Sequence, residues 1–143
     1  MEVTIELLEQ KFSEYNELYF GGKLQTPNFE LHKSFKVYGT FKCGLHAPGT
    51  QFRNPVISIS KYYDYTEEQL RDILCHEMLH EKLERSRKED EDVHGERFLK
   101  EAERLNETYG MHITPNPYFV GVKKSKNAPR FSLARLFWSP VSK

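Results

Sequence analysis

The stretch from Thr66 to Ser86 constrains this chain more than any other, because it reads as one helix with chemistry set into its middle. Thr66 and Gln69 stand in the capping-box relation, and Glu67 and Glu68 fill a first turn where the positive end of the helix dipole favours acids. Leu70, Ile73, Leu74 and Met78 then line one side, while Cys75 and Leu79 occupy another. A helix that is apolar over more than one stripe must be buried centrally, so the rest of the chain is expected to wrap around it. Polar residues inside such a helix need a reason, and here they form the string His76-Glu77-Met78-Leu79-His80.

Helical positions four apart differ by about 40° of rotation, so His76 and His80 project from one face, one turn apart, where both imidazoles can chelate one metal ion. Glu77 falls on the flank of that pair, within reach of a water on the metal but not itself a ligand. One Zn2+ ion suits the site: zinc accepts imidazole, keeps a fourth position open in catalytic centres, and lowers the pKa of its water from 15.7 to about 7. The role expected of Glu77 is general base, taking that water's proton during attack on a peptide carbonyl and handing it to the leaving amine.

Two histidines need a third protein ligand. His94 is the first candidate, since it follows the charged connection Arg85 to Asp92 and opens the next periodic segment, where Gly95 permits close backbone approach. The competing choice is a carboxylate from Glu91, Asp92, Glu96 or Glu101. A third histidine six residues after His80 is excluded, because that position is Ser86.

Around this helix the chain predicts an α+β fold. Val3 to Phe20 carries Leu7, Leu8, Phe12, Tyr15, Leu18 and Tyr19 at three- and four-residue steps, and Gly21-Gly22 stops it as a helix. Phe29 to Phe35, Val37 to Cys43 and Val56 to Ser60 are β-rich runs that suggest a small, mainly antiparallel sheet. Gly44 to Pro55 reads as a loop on a substrate rim. His94 to Tyr109, with Phe98, Ala102 and Leu105 on one face and Gly110 after it, is a further helix.

At 143 residues the chain has room for one domain with a real core. Residues 1–115 are expected to form it, with 116–143 as a tail packed on or extending from it. The tail is basic: Lys123, Lys124, Lys126, Arg130, Arg135 and Lys143 face no acid after residue 122, which leaves the first 122 residues at a net charge of −6. With Phe131, Phe137 and Trp138, that composition suits a single-stranded DNA contact, and equally a solvated basic end whose aromatics pack on an acidic body. No apolar run reaches the roughly 18 residues that span a bilayer, and the acidic start MEVTIELLEQ is unlike a secretory leader, so no membrane partner is expected and the location expected is cytoplasmic. Cys43 and Cys75, far apart and outside any CxxC, are expected as reduced thiols.

These pieces together resemble the SprT-like family of zinc metallopeptidases, which includes a protease of DNA-protein crosslinks. The resemblance covers roughly residues 10 to 110 and rests on YNELYFGGKL, YGTFKC, VISIS, HEMLH and HGERF. HGERF is similar to the family's HGxxF element, whose histidine is the third zinc ligand, so the resemblance implies His94 rather than a carboxylate. It also implies a zincin-style fold and a protein or peptide substrate, including DNA-associated or DNA-crosslinked proteins. Many relatives continue into a cysteine zinc ribbon, whereas this chain has no cysteine beyond Cys75, and Tyr118 to Gly121 falls where a degenerate, cysteine-less ribbon would begin. Beside this reading stands a non-proteolytic one, a zinc-stabilised DNA- or protein-binding module. His32, His46 and His112 read as surface or packing histidines. His46, Arg53 and Tyr118 are candidate donors to a substrate oxyanion.

Overall fold

The structure is a computed structural model and describes residues 1–44, 47, 50–86, 93–116, 123–126, 128 and 129. Helices and strands follow in the order α1 (Ile5–Phe20), β1 (Asn28–His32), β2 (Gly39–Lys42), β3 (Val56–Ser60), β4 (Tyr63–Asp64), α2 (Glu67–Ser86), α3 (Glu96–Tyr109) and β5 (Lys123–Lys124). The class is α+β, as the sequence implies.

Local signals set the helix ends. The Thr66 hydroxyl accepts from the Gln69 N–H at 3.1 Å while the Gln69 side chain accepts from the Thr66 N–H at 2.9 Å, a complete capping box that satisfies two otherwise orphaned donors of α2. Gly21 and Gly110 close α1 and α3 in the left-handed region, at φ 63° and 69°. An L side chain pays to enter that region, which is why both helices stop there. Gly95 caps the start of α3 in an extended conformation and its carbonyl accepts from Leu99 at 3.0 Å. His94 therefore precedes the helix instead of opening it.

Two side-chain amides extend these stops into the following chain. Asn16 binds both the N–H and the C=O of Leu24, at 3.1 and 3.0 Å, and Asn106 does the same to Ile113, at 2.8 and 3.0 Å. Each amide imitates a strand partner and fixes where the chain runs after its helix.

The main sheet has the order β1-β3-β2. β2 pairs with β3 antiparallel, as does β4 with β5, whereas β1 lies parallel to β3. Most pairings are thus antiparallel, and the parallel one arises because β2 takes the far side of β3, so that β1 and β3 enter the sheet in the same direction. β3 has the bounds of its β-rich run, whereas β1 and β2 are shorter than theirs: Ser34 accepts from the backbones of Lys36 and Val37, turning the chain between β1 and β2. On the inner face the register sets Phe29, Ile57 and Phe41 in one row and Leu31, Ile59 and Gly39 in the next. The row that ends in glycine lies against Glu77 of α2.

Helix α2 fills the centre. Leu70, Ile73, Leu74, Cys75, Met78 and Leu79 are all fully buried, the outcome expected of a helix apolar on several stripes. Leu8, Phe12, Tyr15 and Phe20 of α1 and Phe98, Ala102 and Leu105 of α3 complete the core, although Leu18, which shares the spacing of α1, remains 54% exposed. Both cysteines are free thiols, and burial pushes Cys75 far up its scale. No helix among the described residues is long and apolar enough to cross a membrane.

Part of the tail rests on this core. β5 pairs with β4, and the buried Ser125 hydroxyl donates to Glu2 at 3.1 Å. Lys123, Lys124 and Lys126 remain exposed. Tyr118 to Val122 and Phe131 to Trp138, where the ribbon and the stacking aromatics would fall, lie outside the described residues.

Candidate metal centre

The middle of α2 turns His76 and His80 toward the turn that precedes α3, and His94 meets them there. Their Nε2 atoms form a nearly equilateral triangle: 3.2 Å from His76 to His80, 3.1 Å from His80 to His94 and 3.2 Å from His94 to His76. Neutral imidazoles cannot satisfy three such contacts with one another, because each Nε2 is either a single donor or a lone pair. A cation shared by three lone pairs satisfies all of them. Three nitrogens bound at 2.0–2.1 Å in tetrahedral geometry lie about 3.3 Å apart, so the triangle fits a metal of that kind almost without adjustment. Among the described residues these three are the group of potential ligands placed to hold a metal ion.

Burial favours the ligand form of these rings. His76 and His80 are only 1% and 4% exposed, and His94 is half-buried on the open side. Removal from water pushes the His76 pKa well down, His80 and His94 push it further, and the Thr114 backbone pulls weakly the other way. His76 is therefore neutral at pH 7, with its lone pair available. The approach of Thr114 falls short of full hydrogen-bond geometry at Nδ1, so packing does most of the orienting.

Phe98 supplies that packing. Its ring centre lies 4.8 Å from His76, 4.8 Å from His80 and 5.0 Å from His94, stacked on His80 and edge-on to His94. The sequence places Phe98 in the core by periodicity, and it is there, but its position four residues after His94 also makes it the floor on which all three ligand rings rest. Behind it, residues 110–114 run beside α2. The His112 N–H donates to Asp72 at 3.3 Å, Asn106 fixes Ile113, and Met111 and Ile113 are buried.

Glu77 is fully buried, with Oε2 3.9 Å from His76 Nε2, so its carboxylate stands beside the triangle and outside the ligand set. The space it uses is left by Gly39. A Cβ on Gly39 would lie 3.0 Å from Ile59 Cδ1 and 3.3 Å from both Cγ and Oε2 of Glu77. A Gly39→Ala variant must displace one or the other, and overpacking of this kind costs about 1–3 kcal/mol of stability. If Glu77 is a reacting group, kcat falls about 10- to 100-fold in this variant while metal content is kept, since a displacement on the order of 1 Å there can cost roughly 100-fold in rate. An unchanged kcat in that variant would mean that Glu77 does not depend on the gap.

The remaining candidates among the described residues lie apart from the triangle. Glu101 is held by Lys82 at 3.0 Å and by Arg104 at 3.2 Å, and Glu96 is exposed in the first turn of α3. Glu91 and Asp92 lie outside the described residues, as do His46 and Tyr118. His32 sits between the Ser58 hydroxyl at 2.7 Å and the Val37 carbonyl at 3.0 Å, a packing histidine that braces the turn between β1 and β2. His112 and Arg53 are exposed. Glu81, next to His80, is buried but points elsewhere, and burial pushes its carboxyl up to about 8 against the pull of Arg85 and the Gln25 backbone.

A search of curated proteins finds no match to this chain. Against models of protein families, residues 8–117 match the SprT-like family, a span from α1 to just past α3 that contains every residue of the centre. The chain therefore belongs to the SprT-like family and carries its metallopeptidase-like domain.

Proposed function

We propose that this protein is a zinc-dependent metallopeptidase in which His76, His80 and His94 hold one zinc ion and Glu77 is the general base. The observation that carries this reading is the juxtaposition of three converging Nε2 atoms with a buried carboxylate that belongs to none of them. A purely structural site is closed by four protein ligands and needs no base; here three histidines converge and an acid stands beside them. When bound, zinc supplies a Lewis acid that polarises a carbonyl and brings the pKa of a water from 15.7 to about 7.

The chain's own residues do the rest. Phe98 keeps the three imidazoles in one orientation. Glu77 takes a proton at its carboxylate from the attacking water and returns it to the departing amine, which leaves neutral. β2, at one side of the sheet, runs past Glu77 at Gly39, and its outer edge has no strand partner among the described residues. An extended substrate segment laid along that edge would place a peptide carbonyl beside the metal, using main-chain hydrogen bonds that recognise backbone more than sequence. Substrates are accordingly proteins with accessible extended segments, among them proteins associated with or crosslinked to DNA.

Hydrolysis of an unfolded protein should disappear after dialysis against a chelator and return on adding about one equivalent of zinc per chain. Full activity in the metal-free protein would remove zinc from the mechanism.

A further inference from the structure

Around α2 from the histidines, a second and unrelated site opens. Lys82 and Arg85 stand about 120–180° around the helix from His76 and His80, and they line a cavity of about 660 Å³ together with Tyr19, Phe20, Leu24, Lys23 and Arg104. Four cations from three parts of the chain thus converge on one hollow, in a body whose first 122 residues carry a net charge of −6. None of the lining residues is an acid. Glu101 bridges Lys82 and Arg104, and the buried Glu81 faces Arg85, so the four lining cations meet these two acids around the hollow.

The geometry points to a binding site for a small multivalent phosphate anion, either inorganic triphosphate or the phosphates of a nucleotide. Volume, charge and wall each bear on that choice. The cavity lies in the 300–1,000 Å³ range of small-molecule sites, too small for a folded partner. Two guanidinium groups carry planar sets of donors that match phosphate oxygens: Arg85 is held in place by a 2.8 Å hydrogen bond from Nη1 to the Lys23 carbonyl, and Arg104 is held through Nε and Nη2 by Glu101, which leaves its Nη1 to donate. The half-buried Tyr19, steadied edge-on by Tyr109 at 4.7 Å, provides an aromatic wall beside the cations. A ligand seated there would tie the end of α1 to α2 and α3, the two helices that frame the metal centre, without touching the histidines.

Titration calorimetry with sodium triphosphate and with ATP, in low salt, tests this directly. Both should bind the zinc-loaded protein with a Kd below about 100 µM. Lys23→Gln and Arg104→Gln, made separately at two exposed positions, should each weaken binding roughly tenfold, the ordinary worth of a charge-assisted hydrogen bond. Chelation of zinc by the phosphates affects parent and variants alike, so the difference between them isolates the cavity, and peptidase activity measured without phosphate should be the same in all three. Equal affinity for the two ligands would assign the site to inorganic phosphate chemistry; tighter ATP binding that Tyr19→Leu abolishes would assign it to nucleotides. The proposal is overturned if neither ligand binds in low salt, if the variants bind as tightly as the parent, or if only long nucleic acid binds. In those cases the cations serve merely to neutralise the carbonyl ends of α1 and α2.

Discussion

Replacing Glu77 by Gln should lower kcat/KM for protein substrates on the order of 100- to 10,000-fold while leaving one metal per chain. Gln matches Glu in size, so the packing against Gly39 is preserved and the only change is the loss of a carboxylate. The three histidines do not depend on that carboxylate, since the nearest of them is 3.9 Å away and the ligand set closes without it. Metal analysis and thermal unfolding should therefore match the parent while hydrolysis collapses. A Glu77→Gln protein that cleaves at the parental rate would leave the metal centre intact and remove the proposed base.

The His94→Ala variant should lose the metal. Two imidazoles would remain on α2, and removing a direct ligand should cost more than the 10- to 100-fold that loss of an outer partner costs, on the order of 1,000-fold in zinc affinity. The fold should survive at low temperature, because His94 is half-buried in a turn and Phe98, which loses one ring contact, keeps those to His76 and His80. Zinc titration under competition reads the outcome. Undiminished affinity would return the third position to a carboxylate; Glu101 is already committed to Lys82 and Arg104, which would leave Glu96 and the acids of the charged connection. Together the two variants separate holding the metal from using it, since one keeps metal without turnover and the other loses both.

Much of this centre was legible before any tertiary structure. The helix bearing His76 and His80 announces itself by a capping box whose two hydrogen bonds both form, and by stripes of apolar residues that are all buried. Spacing of four on a helix is a local property, fixed by 3.6 residues per turn, and so the shared face of the two histidines follows from the string alone. The Gly21 and Gly110 stops are local in the same sense, decided by one residue's tolerance of positive φ. His94 was legible in a weaker way: position along the chain kept four carboxylates in competition, and resemblance to the HGxxF element singled it out.

The features that escaped are those made by residues far apart in sequence. The parallel pairing of β1 with β3 depends on where β2 inserts, which no alternation pattern within a strand encodes. Gly39 looks like an ordinary strand glycine until Glu77, on another element, occupies the volume a Cβ would need. Phe98 looks like core, and only its contact with three rings from two segments makes it a support for the ligands. The basic cavity likewise gathers Lys23, Lys82, Arg85 and Arg104 from parts of the chain that share no motif.

By itself, then, the sequence determined the helix that carries His76, Glu77 and His80, its capping box and its burial, because each rests on helical geometry and side-chain chemistry within a few turns. Tertiary structure alone decided that the three Nε2 atoms close to 3.1–3.2 Å, that a missing Cβ on Gly39 makes room for Glu77, and that four cations share one hollow. Those facts are distances between separate elements, set by how the elements pack.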